Sequence, residues 1–406
     1  MYVKVIIIIL LYTMKTRVLS ICLIFSLAQS MMAQLTPLGL IEESNIATVD
    51  KNGYLRFIPE LSFEDDYLYV ATPKGLYRSL YKSQSEWEKL PLTDELVLDF
   101  EVRGDTLVIL TRSQLLYSLD GGETAESESI ADIIGEDSDW NLEGMAVHPH
   151  DANHIFVATN GAGLWQTNDG GTEWVQVTKD DGKKVSLTRL LYNPHDANQL
   201  IGIYNNSIMD YGSLIFSHNG GSQWKPGRGE YTDSNISQVC NVAFHPTIGS
   251  KAAACGVSVY ALTDDGGASW TGVFNPKWWQ TIVHITDVIY DPRNPEILYG
   301  ADFSVAKEGI TSVLRSTDGG YTWEEFYYEN IASDGYVLSM DMRDNILALY
   351  TYGNGIQLLD VDAIDASVSP IVNDEDESAY YDIQGRKVTH PIHGIYIKDG
   401  RKVVVE

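Results

Sequence analysis

The chain has 406 residues, 44% of them hydrophobic, and carries 28 basic against 56 acidic side chains for a formal charge of −28. That length and composition allow one sizeable core. So acidic a surface repels phosphate backbones and excludes nucleic acid as a partner.

Residues 1–33 read as a secretory signal. Lys15 and Arg17 precede the apolar run Val18–Ala28, and the small residues Ser30 and Ala33 follow. Met14 suits the start of that signal, because the run Val5–Leu11 upstream adds a second short apolar block. Neither run reaches the ~20 residues that a spanning helix needs, so no stable membrane span is expected. Residues 34–361 then show many short strands rich in Val, Ile, Leu and Tyr, separated by turns of Pro, Gly, Asn and Asp. Tyr67–Thr72 and Gly75–Ser79 are strands of a first unit, in which Trp87 closes the pattern. Leu107–Leu110 and Leu115–Ser118 belong to a second.

An octet recurs through these units. It stands as Thr167-Asn168-Asp169-Gly170-Gly171-Thr172-Glu173-Trp174, as Thr263 to Trp270 with Asp265, and as Ser316 to Trp323 with Asp318. Ser217 to Trp224 has Asn219 in place of Asp, and Ser118 to Ala125 keeps Asp120 but lacks the Trp. The first glycine falls at 121, 170, 220, 266 and 319, a period of about 50 residues that marks a repeat architecture. Each octet reads as a hairpin turn: the carboxylate or amide accepts backbone N–H groups, the glycines take positive φ, and the Trp packs beneath. Asp120, Asp169, Asn219, Asp265 and Asp318, with Trp174, Trp224, Trp270 and Trp323, are therefore structural residues.

Units three to six each open with an inner strand and a Pro turn: His148-Pro149, Asn193-Pro194, His245-Pro246 and Asp291-Pro292. His148, His150, His195 and His245 lie on these separate turns, so no zinc site is expected. Cys240 and Cys255 flank the turn around Thr247 and Ile248 and are expected to be cross-strand neighbours that form a disulfide after export. A seventh unit, about 335–361, has the strands Ile346–Tyr350 and Gly355–Leu359 without an octet. Residues near 35–58 are placed to close the last unit as an added strand, which removes its open edge. Four strands per repeat and seven repeats give an all-β fold, a single β-propeller of seven four-stranded blades.

Residues 362–378 read as an acidic linker. Residues 379–406 are short β segments with a basic cluster, Tyr380-Tyr381-Asp382-Ile383-Gln384-Gly385-Arg386-Lys387-Val388 and then Gly394 to Val405.

The octets resemble Asp-box (BNR) repeats, S/T-x-D-x-G-x-x-W, found in sialidases, sortilin-type receptors, photosystem II assembly factors and xyloglucan-degrading propellers. The resemblance implies that the box sits between the third and fourth strands of a blade, away from any active site. The segment after Tyr380 resembles the C-terminal sorting signals of type IX secretion, which implies a secreted or cell-surface protein and the secretion machinery as a partner. Sialidases also need three Arg around the substrate carboxylate, a Tyr/Glu pair and an acid/base Asp. Arg56-Phe57-Ile58-Pro59 only approximates their N-terminal signature, and Arg189, Arg293 and Arg343 form no clear triad. Xyloglucan-cleaving relatives use two facing propellers, and this chain has room for one.

Blade geometry locates a binding face. In four antiparallel strands the first and third turns share one face, so the Pro turns and the boxes lie together. The opposite face receives Trp140, Asp210, Tyr211, Trp278, Trp279, Tyr327 and Tyr328, the aromatic and polar mixture that a glycan or peptide site uses. The expected function is a non-catalytic binding or scaffolding module for a glycan or protein, with no cofactor and no metal. A sialidase-like glycoside hydrolase and an assembly factor for an exported or membrane complex are the alternatives. No catalytic residue is identified.

Overall fold

A computed structural model describes residues 35–39, 60–83, 86–134, 142–159, 162–179, 182–185, 187–204, 213–229, 238–257, 259–273, 285–302, 310–330, 337–352, 354–368, 380–381, 387–388, 394–398 and 401–405. The first strand, β1 (Thr36–Gly39), pairs antiparallel with a strand more than 300 residues later and belongs to the last blade. Blade one comprises β2 (Leu61–Glu64), β3 (Tyr67–Thr72), β4 (Gly75–Leu80) and β5 (Glu88–Lys89). Blade two comprises β6 (Val97–Arg103), β7 (Thr106–Thr111), β8 (Gln114–Ser118) and β9 (Glu126–Ser129), and the short helix α1 (Ala131–Ile134) follows it.

Blade three comprises β10 (Leu142–His148), β11 (Asp151–Thr159), β12 (Gly163–Thr167) and β13 (Val175–Val177). Blade four comprises β14 (Arg189–Asn193), β15 (Asp196–Tyr204), β16 (Ser213–Ser217) and β17 (Lys225–Pro226). The chain then lays β18 (Arg228–Gly229) parallel to the outer edge of blade five, which otherwise comprises β19 (Gln238–Phe244), β20 (Ala252–Val257), β21 (Val259–Thr263) and β22 (Ser269–Gly272). Gly229 has φ +141°, and a Cβ there would overlap the carbonyl of Trp270, so only glycine lets the two backbones meet.

Blade six comprises β23 (Ile285–Tyr290), β24 (Leu298–Asp302), β25 (Ile310–Ser316) and β26 (Glu324–Asn330). Blade seven comprises β27 (Val337–Arg343), β28 (Ile346–Thr351) and β29 (Gly355–Asp360), with β1 as its outer strand. Each innermost strand touches the next around the whole circle, from β2 through β27 and back to β2. The ring is closed by β1 through hydrogen bonding and by Trp87, whose indole N–H donates to the Leu38 carbonyl at 2.6 Å. The expected closing strand is therefore present; residues 40–59 lie outside the described residues.

The core sits in the seams. Phe63, Tyr81, Tyr350 and Leu358 pack between blades seven and one; Val108, Ile155 and Val157 pack between blades two and three. The second strand of a blade is covered on both sides, which is why Leu107–Leu110 and Ile346–Tyr350 read as continuous apolar runs rather than alternating ones.

The boxes form as the residue types require. In the sixth blade the Ser316 hydroxyl donates to Asp318 Oδ1 at 2.8 Å and accepts the Gly320 N–H at 2.9 Å. Asp318 Oδ1 also accepts the N–H groups of Tyr321 and Thr322. Thr167, Thr263, Ser217 and Ser118 repeat the hydroxyl contacts in their own blades. The first glycine of each box donates to a carbonyl of the turn between the first two strands, as Gly170 does to Asn153 and Gly319 to Glu296. Boxes and first turns therefore share one face.

A second unit contains residues 360–406 and is described by itself. The expected linker over 362–378 is in part a helix: α2 spans Val361–Val368, and Asp360 Oδ1 caps it by accepting the N–H groups of Asp362 and Ala363. The tail forms a four-stranded sheet from β30 (Tyr380–Tyr381), β31 (Lys387–Val388), β32 (Gly394–Lys398) and β33 (Arg401–Val405), in the order β31-β30-β32-β33. Among the described residues no helix is long and apolar enough to cross a membrane.

Candidate functional site at the channel end opposite the boxes

The innermost strands enter from the face opposite the boxes, and their first residues surround that end of the central channel. Five of them carry a β-bulge at the same place, between Val97 and Asp99, Leu142 and Gly144, Val239 and Asn241, Ile285 and Asp287, and Val337 and Ser339. A bulge re-aims a side chain and frees local backbone groups. Here it sets carboxylates against the neighbouring blade. Asp99 Oδ2 accepts the Met145 N–H at 2.7 Å, and Asp287 Oδ2 accepts the Met340 N–H at 2.7 Å. Asp287 Oδ1 takes the Val288 N–H at 2.8 Å and the side-chain amide of Asn241. Asp341, farther along its strand, spans the closing seam by accepting the Phe63 N–H at 2.7 Å.

One ion pair crosses the ring. Arg189 on blade four donates to Glu60, which leads into blade one, at 2.6 Å, and each side chain keeps 23% of its surface exposed. Burial weakens the Arg189 charge, but Glu60, Asp287 and Asp99 outweigh it and hold the guanidinium ionised. Burial pushes the Asp99 carboxyl well up, and the charge and hydrogen bond of Glu60 push it further. Burial likewise pushes Asp287 and Asp341 up to about 6, against the pull of their N–H partners and, for Asp287, of Arg189.

Chemically this end is committed to itself. Asp99 is taken up by the Met145 N–H and Glu60 by the Arg189 guanidinium, and the two carboxyl groups lie close enough for Glu60 to push Asp99 up. Arg103 and Arg343 stand at the far ends of their strands, and Arg103 is occupied by the carbonyls of Val147 and His148. Among the described residues no group of His, Cys, Asp and Glu is arranged to hold a metal ion.

Of the binding residues expected from sequence, Trp140, Asp210, Tyr211, Trp278 and Trp279 lie outside the described residues. Tyr327 and Tyr328 are not in a connection before blade seven but on β26, the outer strand of blade six, where Tyr327 is half-buried opposite Val313. Cys255 faces Asn241 rather than Cys240, because the bulge shifts the register by one residue at that point. No disulfide joins Cys240 and Cys255. Glu60, Asp99, Asp287 and Asp341 were not anticipated. Their signal was a single carboxylate inside an apolar inner strand, as in Met340-Asp341-Met342.

No family model matches the chain, and no curated protein matches it in sequence. Among solved structures, the chain is similar to the GH74 xyloglucanase from Xanthomonas campestris at 16% identity and a TM-score of 0.56, over 80% of this chain and 53% of that one. It thus spans about half of that enzyme. It is similar to YCF48 bound to a D1 peptide at 17% identity and a TM-score of 0.53, over 75% of this chain and 93% of that one. The extracellular domain of a one-component system from B. thetaiotaomicron matches at 10% identity and a TM-score of 0.55, over 90% of this chain and 46% of that one. At these identities the shared property is the fold: the chain is a seven-bladed β-propeller.

Proposed function

We propose that this protein is an exported, non-catalytic binding or scaffolding propeller. It acts at the cell surface or outside the cell and contacts a protein segment or a glycan through the face opposite the boxes. The observation that carries this reading is the use of the channel carboxylates. Asp99, Asp287 and Asp341 accept backbone N–H groups across blade seams, and Glu60 is held by Arg189, so these acids fasten a rigid platform. YCF48, a propeller of similar fold, is solved with a D1 peptide bound, which supports a protein segment as the first ligand to test. Export rests on the signal-like residues 1–33 and on the tail 379–406, which resembles a type IX sorting signal. Deleting residues 379–406 is expected to leave the protein inside the cell envelope; unchanged surface display would remove the sorting role.

The test of function incubates the mature chain with labelled sialosides and plant glycans and with extracellular proteins under crosslinking. Retention without released product is expected. Turnover that is lost on changing Asp99 or Glu60 would make the protein a glycoside hydrolase instead.

A further inference from the structure

The seams between blades three and four and between blades five and six share one frame on the box face. In both, the residue before the turn proline is a histidine whose Nδ1 accepts the backbone N–H two residues on. His148 takes His150 at 3.2 Å, and His245 takes Thr247 at 3.1 Å. In both, a tyrosine at the end of the next inner strand packs on that ring. Tyr192 lies 5.4 Å from His148, and Tyr290 lies 5.1 Å from His245.

The second strand decides what happens between them. Val147 pairs with Ile155 and Phe244 with Ala252, so Lys251 and Ala253 occupy the places of His154 and Phe156. In the first seam His154 stacks on His148 at 5.1 Å and Phe156 lies 6.0 Å from Tyr192, which fills the space. In the second, Ala253 brings no ring, and Lys251 turns to Asp264 at 3.8 Å. A shallow cleft of about 50 Å³, open to solvent, is left between His245, Tyr290, Glu296 and Tyr321, so a ligand rests on its rim rather than inside it.

The groups at this cleft define its ligand. His245 is 5% exposed, and its Nδ1 accepts two backbone N–H groups, from Thr247 and Ile248. Its proton therefore sits on Nε2, which has no protein partner among the described residues and serves as a fixed donor. Glu296 supplies acceptors, and its carboxylate lies beside Gly319 on the opposite rim. Glu296 and Asp264 repel an anionic ligand, and Lys251 is already matched by Asp264, so the groups left to a ligand are the Glu296 carboxylate and the His245 N–H. A neutral ligand that both donates and accepts satisfies both of them. The Tyr321 ring, 61% exposed at the rim, offers a flat apolar face to a ring-shaped ligand. We propose that this cleft binds one neutral glycosyl unit, with its C–H face on Tyr321 and its hydroxyls shared by Glu296 and His245. The site is separate from the face proposed above for the main ligand.

The test is saturation-transfer NMR on the full chain with the methyl glycosides of glucose, galactose, mannose and N-acetylglucosamine. At least one glycoside should receive saturation, and Tyr321→Ala and Glu296→Gln should each weaken binding about tenfold or more. Near-UV circular dichroism checks that both variants keep their fold, and their exposed positions favour this. Tyr192→Phe, in the filled seam, should bind as the parent does. Absence of saturation transfer from all four glycosides would overturn the site. So would binding that survives both substitutions, or tighter binding of a neutral dipeptide amide used as a competitor. Loss of saturation transfer on the two substitutions reports this cleft, and any transfer that remains after a clear reduction belongs to the opposite face.

Discussion

Asp287, on the innermost strand of blade six, accepts the backbone N–H of Met340 on that of blade seven at 2.7 Å. Asp341 repeats the contact from blade seven to Phe63 of blade one at 2.7 Å. The closing blade is thus held on both sides by a buried carboxylate.

Burial raises Asp287 from 3.8 to about 6, which fixes the sign of its pH dependence. Below about pH 4 the group is protonated in both folded and unfolded chains, and the fold pays nothing for it. As pH rises through about 6, the folded state must hold a desolvated charge and loses about 3 kcal/mol. Asp287→Asn removes that dependence. The stability margin of the parent over Asp287→Asn should therefore be largest in acid and narrow as pH rises, measured by denaturant unfolding at stepped pH. A margin that widens with pH would show the ionised form to be the stabilising one. His148, His154 and His245 act in the opposite sense, since burial lowers all three. Their contribution is present above about 6.5 and lost as pH falls, and it cancels in the difference.

Ring closure depends on the Trp87 indole. Its N–H donates to Leu38 at 2.6 Å and keeps β1 on β29. Trp87→Phe retains most of the packing and loses the hydrogen bond, at a cost of about 1 kcal/mol. Hydrogen exchange should accelerate at the β29 amides that pair with β1, around Gln357 and Leu358, before it changes elsewhere. Uniform acceleration around the ring would mean that closure is not a separate opening unit.

Much of this architecture is legible in the octets, because a turn clamp needs particular residue types at fixed offsets wherever it occurs. The period set by Gly121, Gly170, Gly220, Gly266 and Gly319 yields the blades, and the antiparallel order puts boxes and Pro turns on one face. Blades one and seven lack the motif, yet their strands carry the same doubly buried runs. What the octets leave out is register. A single extra residue before Asn241 separates Cys240 from its expected partner, and no local signal marks a bulge. The channel carboxylates were hidden for a related reason. Asp99 and Asp287 pair with backbone N–H groups of the next blade about 50 residues away and Asp341 with one 278 residues away, and backbone has no sequence signature.

The box of blade four contains its own substitution experiment. Asn219 Oδ1 keeps the Ser217 hydroxyl and the Gln223 N–H, both at 2.9 Å. Asp318 adds a second oxygen that accepts the Thr322 hydroxyl at 2.7 Å. Asp318→Asn should therefore fold normally with a small loss of stability. Asp318→Ala removes every one of these acceptors and should cost about 1–2 kcal/mol. Thermal unfolding of the two variants checks the order; equal losses would assign the clamp to the serine and glycines alone.

The Arg189–Glu60 bridge, at 2.6 Å, joins blades three positions apart in the ring. Removing the arginine leaves Glu60 beside Asp99, whose carboxyl burial already pushes up, with no cation to balance the pair in a partly closed channel. Arg189→Met should destabilise the fold by about 3 kcal/mol, since a broken pair costs more than the pair contributes. Glu60→Gln on the same background removes the stranded charge and should recover most of the loss. A double-mutant cycle in which the second substitution adds to the first, rather than relieving it, would show that Arg189 acts through Asp287 and not through Glu60.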